Sequence, residues 1–420
     1  MTNNINLQYG TKQVTCKEPA NYRILESGKD KNKVKWDKKI EDVFSNPVDS
    51  QTLTEIVKNE APEKIVIIIN DITRPVPYNI VLKPILDELL ESGIKKEQIK
   101  LIIATGMHRP MTADEVAETL GEEIADNYHW LNHKCKEEMI YLGQLKNDIP
   151  LYVNPLAVEA DLLCAVGVIA PHYMAGFSGG RKSLLPGVCG KETIESHHSL
   201  MRLPESRTAN LERNQFHETM LEAAEIAGLR FISNVVVDSK NEVIDLVAGD
   251  YYKAWQKGVE LCNRSSVIEV DELADAAVVS VGGFPKDINM YQAQKALENA
   301  SYCVKKGGPI LIVAECREGL GEEVFEKWLD EAETVEYLEK KIKKVFELGG
   351  HKAFAVARVA KEHPLYLYSS MDSELTAKTF MKKIDNLDSF IEEIVKEDDF
   401  VYILPHGANT VPNYKYVDNQ

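Results

Sequence analysis

The sequence has no apolar run approaching the ~20 residues that a membrane-spanning helix needs, so no such helix is expected. It has no CxxC pair. The seven cysteines, Cys16, Cys135, Cys164, Cys189, Cys262, Cys303 and Cys316, are scattered and odd in number. That pattern excludes a zinc knuckle and a disulfide framework and suits a reducing compartment. Neither GxGxxG nor the Gly-x4-Gly-Lys-[Ser/Thr] loop is present, so NAD binding and a nucleoside triphosphatase have no support. Positive charge is scarce: 49 Lys and Arg stand against 66 Asp and Glu, for a formal net charge of −17. General nucleic-acid binding needs exposed Lys and Arg to neutralise phosphates, so that class is excluded. Met1 to Ile5 lacks the basic and apolar regions of a secretory leader, and the expected location is cytoplasmic. No short-period repeat and no low-complexity tract is visible.

What is there is an alternation of short apolar strands and amphipathic helices over 420 residues, 44% of them hydrophobic. Strands are predicted at Lys64–Ile69, Ile99–Thr105, Leu162–Ile169 and Phe231–Val237. A second alternation has strands at Ala276–Val281, Ile310–Ala314, Leu365–Tyr368 and Phe400–Leu404. Helices are predicted at about 79–92, from 191, and between 322 and 362. Such alternation implies an α/β fold of two domains, each with a mainly parallel sheet flanked by helices. The boundary is expected in the acidic, irregular stretch near 262–275. This gives an N-terminal domain over 1–265 and a C-terminal domain over 266–420, with a hinge near Asn263–Asp275.

In sheets of this kind ligands bind beyond the carboxyl ends of the strands. Three predicted strand ends deliver chemically useful residues. The first carries Asp71 and Arg74, the second Gly106-Met107-His108-Arg109, and the third Pro171-His172 followed by Phe177-Ser178-Gly179-Gly180-Arg181-Lys182-Ser183. Glu195-Ser196-His197-His198 follows soon after. Glycines let backbone N–H groups approach a ligand and can form an anion-binding nest. Taken singly, Asp71 reads as a turn cap, Arg74 as a surface charge and His108 as a loop histidine. Together at one sheet edge they read as a site. The bland alternative for the glycine-rich run is a surface turn with solvated basic side chains. Cys189 reads as a small, partly buried thiol rather than a nucleophile or ligand. His129, His133, His217, His351, His363 and His406 read as structural or surface residues, although His406 ends a predicted strand.

The motifs together resemble the nickel-pincer lactate racemase family over nearly the whole chain. The resemblance rests on Asp71-x-x-Arg74-Pro75, Gly106-Met107-His108-Arg109, Pro171-His172-x3-Gly176-x-Ser178-Gly179-Gly180-x-Lys182 and His198. It continues in Gly282-Gly283-x-Pro285-Lys286-Asp287 and Tyr291-Gln292-x-x-Lys295. The resemblance implies two α/β domains with the active site in the interdomain cleft. It also implies a pyridinium-3-thioamide-5-thiocarboxylic acid mononucleotide carrying nickel, tethered covalently to Lys182, with His198 as protein ligand to the metal. His108 and His172 become the acid/base pair. Arg74 and Lys295 orient the substrate carboxylate, with Asp71, Gln292 and Tyr291 in support. Ser178, Gly179, Gly180 and Arg181 help to hold the cofactor phosphate.

The implied reaction is racemisation or epimerisation of a small anionic 2-hydroxy acid. Hydride leaves C2 while a base takes the hydroxyl proton, and a planar 2-keto acid can take hydride back on either face. Histidine suits the proton transfer because its pKa lies near neutrality. Cofactor-synthesis proteins are implied partners. The motifs leave the rest of the substrate pocket open, and no aromatic in Gly349–Phe354 is assigned to it. Lactate is one candidate among larger aliphatic, aromatic, dicarboxylic and sugar acids. Two other classes compete: a metal-dependent hydrolase or lyase using the same histidines, and a non-catalytic protein that binds small anions.

Overall fold

The computed structural model describes residues 4–26, 34–238 and 242–414. The chain divides into two compact units, Asp30–Asn263 and Met1–Lys29 with Arg264–Gln420. Among the described residues no helix is long and apolar enough to cross a membrane.

The Asp30–Asn263 unit is built on a six-stranded sheet in the order Val243–Asp250, Leu229–Val237, Leu162–Ile169, Ile65–Asn70, Ile99–Ala104, His129–Asn132. All neighbours are parallel except the first pair, which is antiparallel. The Ile65–Asn70 strand is buried throughout save its last residue. That follows from IVIIIN, an unbroken β-branched run with helices over both faces. Ile65, Ile67 and Ile69 pack with Leu86, Leu89 and Val116 on one face. Full burial of each such side chain stabilises by about 1.5–3 kcal/mol.

The helix predicted near 79–92 is split at Leu82 into Tyr78–Val81 and Lys83–Glu91, with Pro84 in the first turn of the second piece. Proline is tolerated there because its missing N–H would have no partner in a first turn. Thr112 and Glu115 form the capping box that their spacing predicts.

The second unit carries an all-parallel sheet in the order Met381–Lys383, Leu365–Tyr368, Ile310–Val313, Ala276–Ser280, Phe400–Leu404, Asn21–Ile24. The antiparallel hairpin Asn4–Tyr9 with Lys12–Lys17 packs Ile5, Leu7 and Tyr9 against Ala276, Val278 and Leu311. Ser280 donates to the Gln8 carbonyl at 2.6 Å, and the Asp287 carboxylate takes the Gly10 N–H at 2.7 Å. These contacts correct the expected 1–265 domain. The first strands belong with the C-terminal unit, because their hydrogen-bonding edge and apolar face are used there. The break itself falls at Asn263/Arg264, within the last turn of the helix Lys253–Ser266 rather than in an irregular linker.

Just past the His129–Asn132 strand, His133 is 2% exposed. Its Nε2–H donates to the Cys189 carbonyl at 2.9 Å, and its Nδ1 accepts from Asn154 at 3.2 Å. Burial pushes its pKa down from 6.5 to about 4. The unfolded chain takes up this proton first, so the neutral ring favours the fold fully above 6.5 and progressively less below it. Between those two values the loss is about 1.4 kcal/mol per pH unit for one proton. In urea unfolding at a series of pH values, His133→Gln should flatten the acid limb by about one proton, and an unchanged slope would rule His133 out as its source.

Candidate active site

In the Asp30–Asn263 sheet, the chain runs from Ile65–Asn70 outward through Ile99–Ala104 to His129–Asn132. It then returns to place Leu162–Ile169 on the other side of Ile65–Asn70. The order therefore reverses between two central strands, and ligands bind outside the carboxyl ends at such a reversal. Asp71 follows one of these strands and His172 the other. His108 follows the adjacent strand, Ile99–Ala104.

Asp71 is 4% exposed, and its carboxylate accepts from His108 Nδ1 at 2.6 Å and from Thr73 Oγ1 at 2.6 Å. Burial alone would raise its pKa. The bonds from His108 and Thr73 and the nearby Arg74 charge outweigh that and hold the carboxyl below its ordinary value. An ionised carboxylate on Nδ1 fixes the His108 proton there and leaves the Nε2 lone pair as acceptor, the arrangement of a general base. Arg74 is exposed, its backbone turned by an N–H bond to the Asp71 carbonyl at 3.1 Å. Arg109 turns away and pairs with Glu115.

The loop after Leu162–Ile169 folds as a short hairpin, Pro171–His172 with Gly176–Phe177, and then a single helical turn, Gly180–Ser183. Its glycines serve close packing. Gly179 and Gly180 both have positive φ. A Cβ on Gly179 would lie 2.7 Å from Ile169, and one on Gly180 would lie 2.9 Å from Trp255. The phosphate cradle expected of Ser178 to Arg181 does not fit their polar groups. The Ser178 hydroxyl donates to Val168 at 2.8 Å and accepts from the Ala170 N–H. The Gly180 N–H goes to Asn234 at 2.8 Å. Arg181 is 1% exposed, and its guanidinium donates to the carbonyls of Phe177 and Ala175 and to His217 Nδ1. It also lies 3.6 Å from the centroid of the Trp255 ring.

Lys182 is half-buried on the same turn. Burial first, then the charges of Arg74 and Arg181, hold its amine well below the ordinary lysine value, with Asp71 opposing. That shift enriches the uncharged amine, the nucleophilic form. His198 lies in the last turn of the helix Lys191–His198. Its Nδ1–H donates to the Ile194 carbonyl at 2.8 Å, which leaves the ring lone pair on Nε2. Burial lowers its pKa to about 4, and the charges of Lys182 and His108 push the same way. These mutual effects place Asp71, Arg74, His108, Lys182 and His198 in one neighbourhood.

His197 is a separate case. It is fully buried, its Nε2 bonded to the Phe216 carbonyl at 2.9 Å and its ring 3.8 Å from that of Phe216, which suits packing. Cys189 is a thiol buried completely rather than in part, and burial raises its pKa.

Tyr291, Gln292 and Lys295 belong to the other unit, on the helix Met290–Ser301 capped by Asn289. The four-residue spacing of Tyr291 and Lys295 and the three-residue spacing of Gln292 and Lys295 put them on one face. Tyr291 is engaged within its unit: Lys352 lies 3.7 Å from its ring centroid and donates to its carbonyl at 2.7 Å. Phe354 is a core residue there, 6% exposed. Sequence reasoning missed Thr73, Asn214, Asn234 and Trp255, which brace the site from remote segments. Only Thr73 had a local signal, a hydroxyl two residues after Asp71.

Family models describe the same chain in two parts. Residues 9–209 match the lactate racemase N-terminal domain, and residues 270–411 match the lactate racemase C-terminal domain. A lactate racemase from Thermoanaerobacterium thermosaccharolyticum is 34% identical over 98% of this chain and 100% of its own length. One from Lactiplantibacillus plantarum is 34% identical over 97% and 99%. The solved lactate racemase apoprotein from Thermoanaerobacterium thermosaccharolyticum superposes with a TM-score of 0.89 at 33% identity, covering 98% of this chain and 100% of that one. By these matches over nearly its whole length, this chain belongs to the lactate racemase family.

Proposed function

We propose that this isomerase interconverts the enantiomers of a 2-hydroxy acid, with lactate the first candidate, by hydride transfer at a nickel pincer nucleotide tethered to Lys182. The observation that carries this reading is the state of Lys182. A half-buried amine with depressed pKa sits beside Arg74 and within the field that also acts on His198. Such an amine forms a covalent bond to an acyl carbon far more readily than a solvated ammonium does. His198 fits as metal ligand because the Ile194 carbonyl fixes its tautomer. Among the described residues, no group of three or more His, Cys, Asp or Glu side chains is arranged to hold a metal ion. A metal at His198 would therefore take its other donors from the bound group, and soft sulfur with imidazole suits nickel. When bound, the cofactor supplies the hydride acceptor for the C2–H bond.

The chain's own residues supply the rest. Arg74 can neutralise the substrate carboxylate. His108 Nε2 is the proton acceptor for the hydroxyl, with Asp71 stabilising the imidazolium that forms. The Lys182 backbone is held in the turn by its N–H bond to the Gly179 carbonyl at 3.1 Å. Cofactor-synthesis proteins are the partners this scheme requires, and seven free cysteines are consistent with a reducing, cytoplasmic setting.

Protein produced together with cofactor-synthesis enzymes should gain a mass increment that maps to Lys182 and about one nickel per chain, and Lys182→Ala should show neither. Turnover of either lactate enantiomer by Lys182→Ala would overturn the tether. Asp71→Asn should retain the mass increment while kcat/KM falls by about 100- to 10,000-fold. A loss of less than tenfold would remove the Asp71–His108 pair from the mechanism.

A further inference from the structure

We propose that Asp287 is a positioning residue for the ligand edge of the second unit: its carboxylate ties the turn of the N-terminal hairpin to the loop that seats the helix Met290–Ser301, so that Gln292 and Lys295 are held in place from the first ten residues of the chain. The role of those two side chains toward a 2-hydroxy acid rests on the racemase reading. The tie itself stands on geometry alone.

The second sheet has its own reversal of order. From Ala276–Ser280 the chain runs outward through Ile310–Val313 and Leu365–Tyr368 to Met381–Lys383, then places Phe400–Leu404 on the other side of Ala276–Ser280. Ligands bind outside the carboxyl ends at such a point, and the loop after Ala276–Ser280 lies there. A Cβ on its Gly282 would come within 3.5 Å of His406 Nδ1, just past Phe400–Leu404. The first N–H groups of a helix lack partners within it. In Met290–Ser301 those of Met290 and Tyr291 donate to the Gly319 and Leu320 carbonyls at 2.9 and 3.1 Å, and that of Gln292 donates to the Asn289 side chain at 3.0 Å. With these amides engaged, recognition at this edge falls to side chains such as the exposed Gln292 and the half-buried Lys295.

Asp287 sits where the segments meet. It is fully buried, and its Oδ2 accepts from the Gly10 N–H at 2.7 Å and the Glu315 N–H at 3.1 Å. Its carbonyl accepts from the Cys316 N–H at 2.8 Å, and the next carbonyl, of Ile288, accepts from the Glu318 N–H at 3.0 Å. Gly10 returns the contact, its carbonyl accepting from the Phe284 N–H at 2.9 Å. One carboxylate oxygen thus joins the hairpin, the loop and the end of the next strand.

The arrangement is not the one that stability alone would favour. Asp287 Oδ1 is buried and has no hydrogen-bond partner among the described residues, and a carboxylate held from water with half its acceptors unused is destabilising. Cys316, beside it, has a φ of +49°, where residues other than glycine are uncommon. Unfavourable local geometry gathered at a ligand edge points to a functional constraint. When the tie is lost, the fraction of molecules with the helix start seated falls. KM then rises by the inverse of that fraction, while the seated molecules keep their kcat.

The first test is amide hydrogen exchange, read by mass spectrometry on the cofactor-free full chain. In the wild type, the turn around Gly10 and the segment 284–292 should open together, their protection staying within about threefold of each other as urea rises. A turn that exchanges freely while 284–292 stays protected overturns the tie, and this comparison decides even if Asp287→Ala does not fold. Asp287→Ala should lower protection of both segments by ~10-fold or more and leave the Ile65–Asn70 strand of the other unit as it was; unchanged protection of 284–292 overturns the proposal. Asp287→Asn keeps an oxygen in place of Oδ2 and should restore both segments, and an Asn variant as labile as the Ala variant would remove the accepted bonds as the cause. In loaded enzyme, Asp287→Ala should raise KM on the order of 10-fold with kcat within about threefold, and Asp287→Asn should recover KM. A fall in kcat at unchanged KM would contradict the positioning role. Exchange is read without cofactor or substrate, so a chain that racemises no 2-hydroxy acid would refute the racemase reading and leave the tie to be decided by exchange.

Discussion

A buried guanidinium organises the loop on which the site depends. Arg181 is almost wholly removed from water, and an unsolvated cation is tolerated only when its donors are satisfied. Its partners are carbonyls of the loop itself, at Ala175 and Phe177, together with His217 Nδ1 and the face of Trp255. Trp255 in turn donates to the Ser178 carbonyl at 2.9 Å. The loop is thus folded around its own cation. Arg181 is followed by the half-buried Lys182 on the same turn, and the hairpin that bears His172 is closed by the same guanidinium.

This arrangement explains what was legible in the sequence and what was not. The strands were legible because runs such as IVIIIN and LLCAVGVI have no other use than a buried sheet. The delivery of Asp71, His108 and His172 to one edge follows from that parallel order. Less legible were pairings between distant segments. The antiparallel Val243–Asp250 strand contains two aspartates and a glycine, which blur its pattern. The alliance of Asn21–Ile24 with Phe400–Leu404 joins opposite ends of the chain. In the site, residue types pointed to the right neighbourhood but not to the direction each group faces. Glycines, a serine and an arginine in a row suggested an anion nest. Their actual partners, Asn234, Trp255 and His217, lie far along the chain and leave no mark on the local motif.

The electrostatics of the site follow from how burial is distributed. Burial lowers the basicity of both Lys182 and His198, and the Lys182 charge adds to the effect on His198. His197 and His217, behind them, are likewise held neutral by burial. The arginines are different in kind, because a guanidinium keeps its charge where an amine or imidazole gives it up. Arg181 spends that charge on its own loop. Arg74 is exposed, whereas the amine of Lys182 and the imidazole of His198 lie where burial disfavours their charged forms. Retained charge and suppressed charge are thus separated by depth: the first on the exposed turn after Ile65–Asn70, and the second on the more buried turn and helix that carry Lys182 and His198.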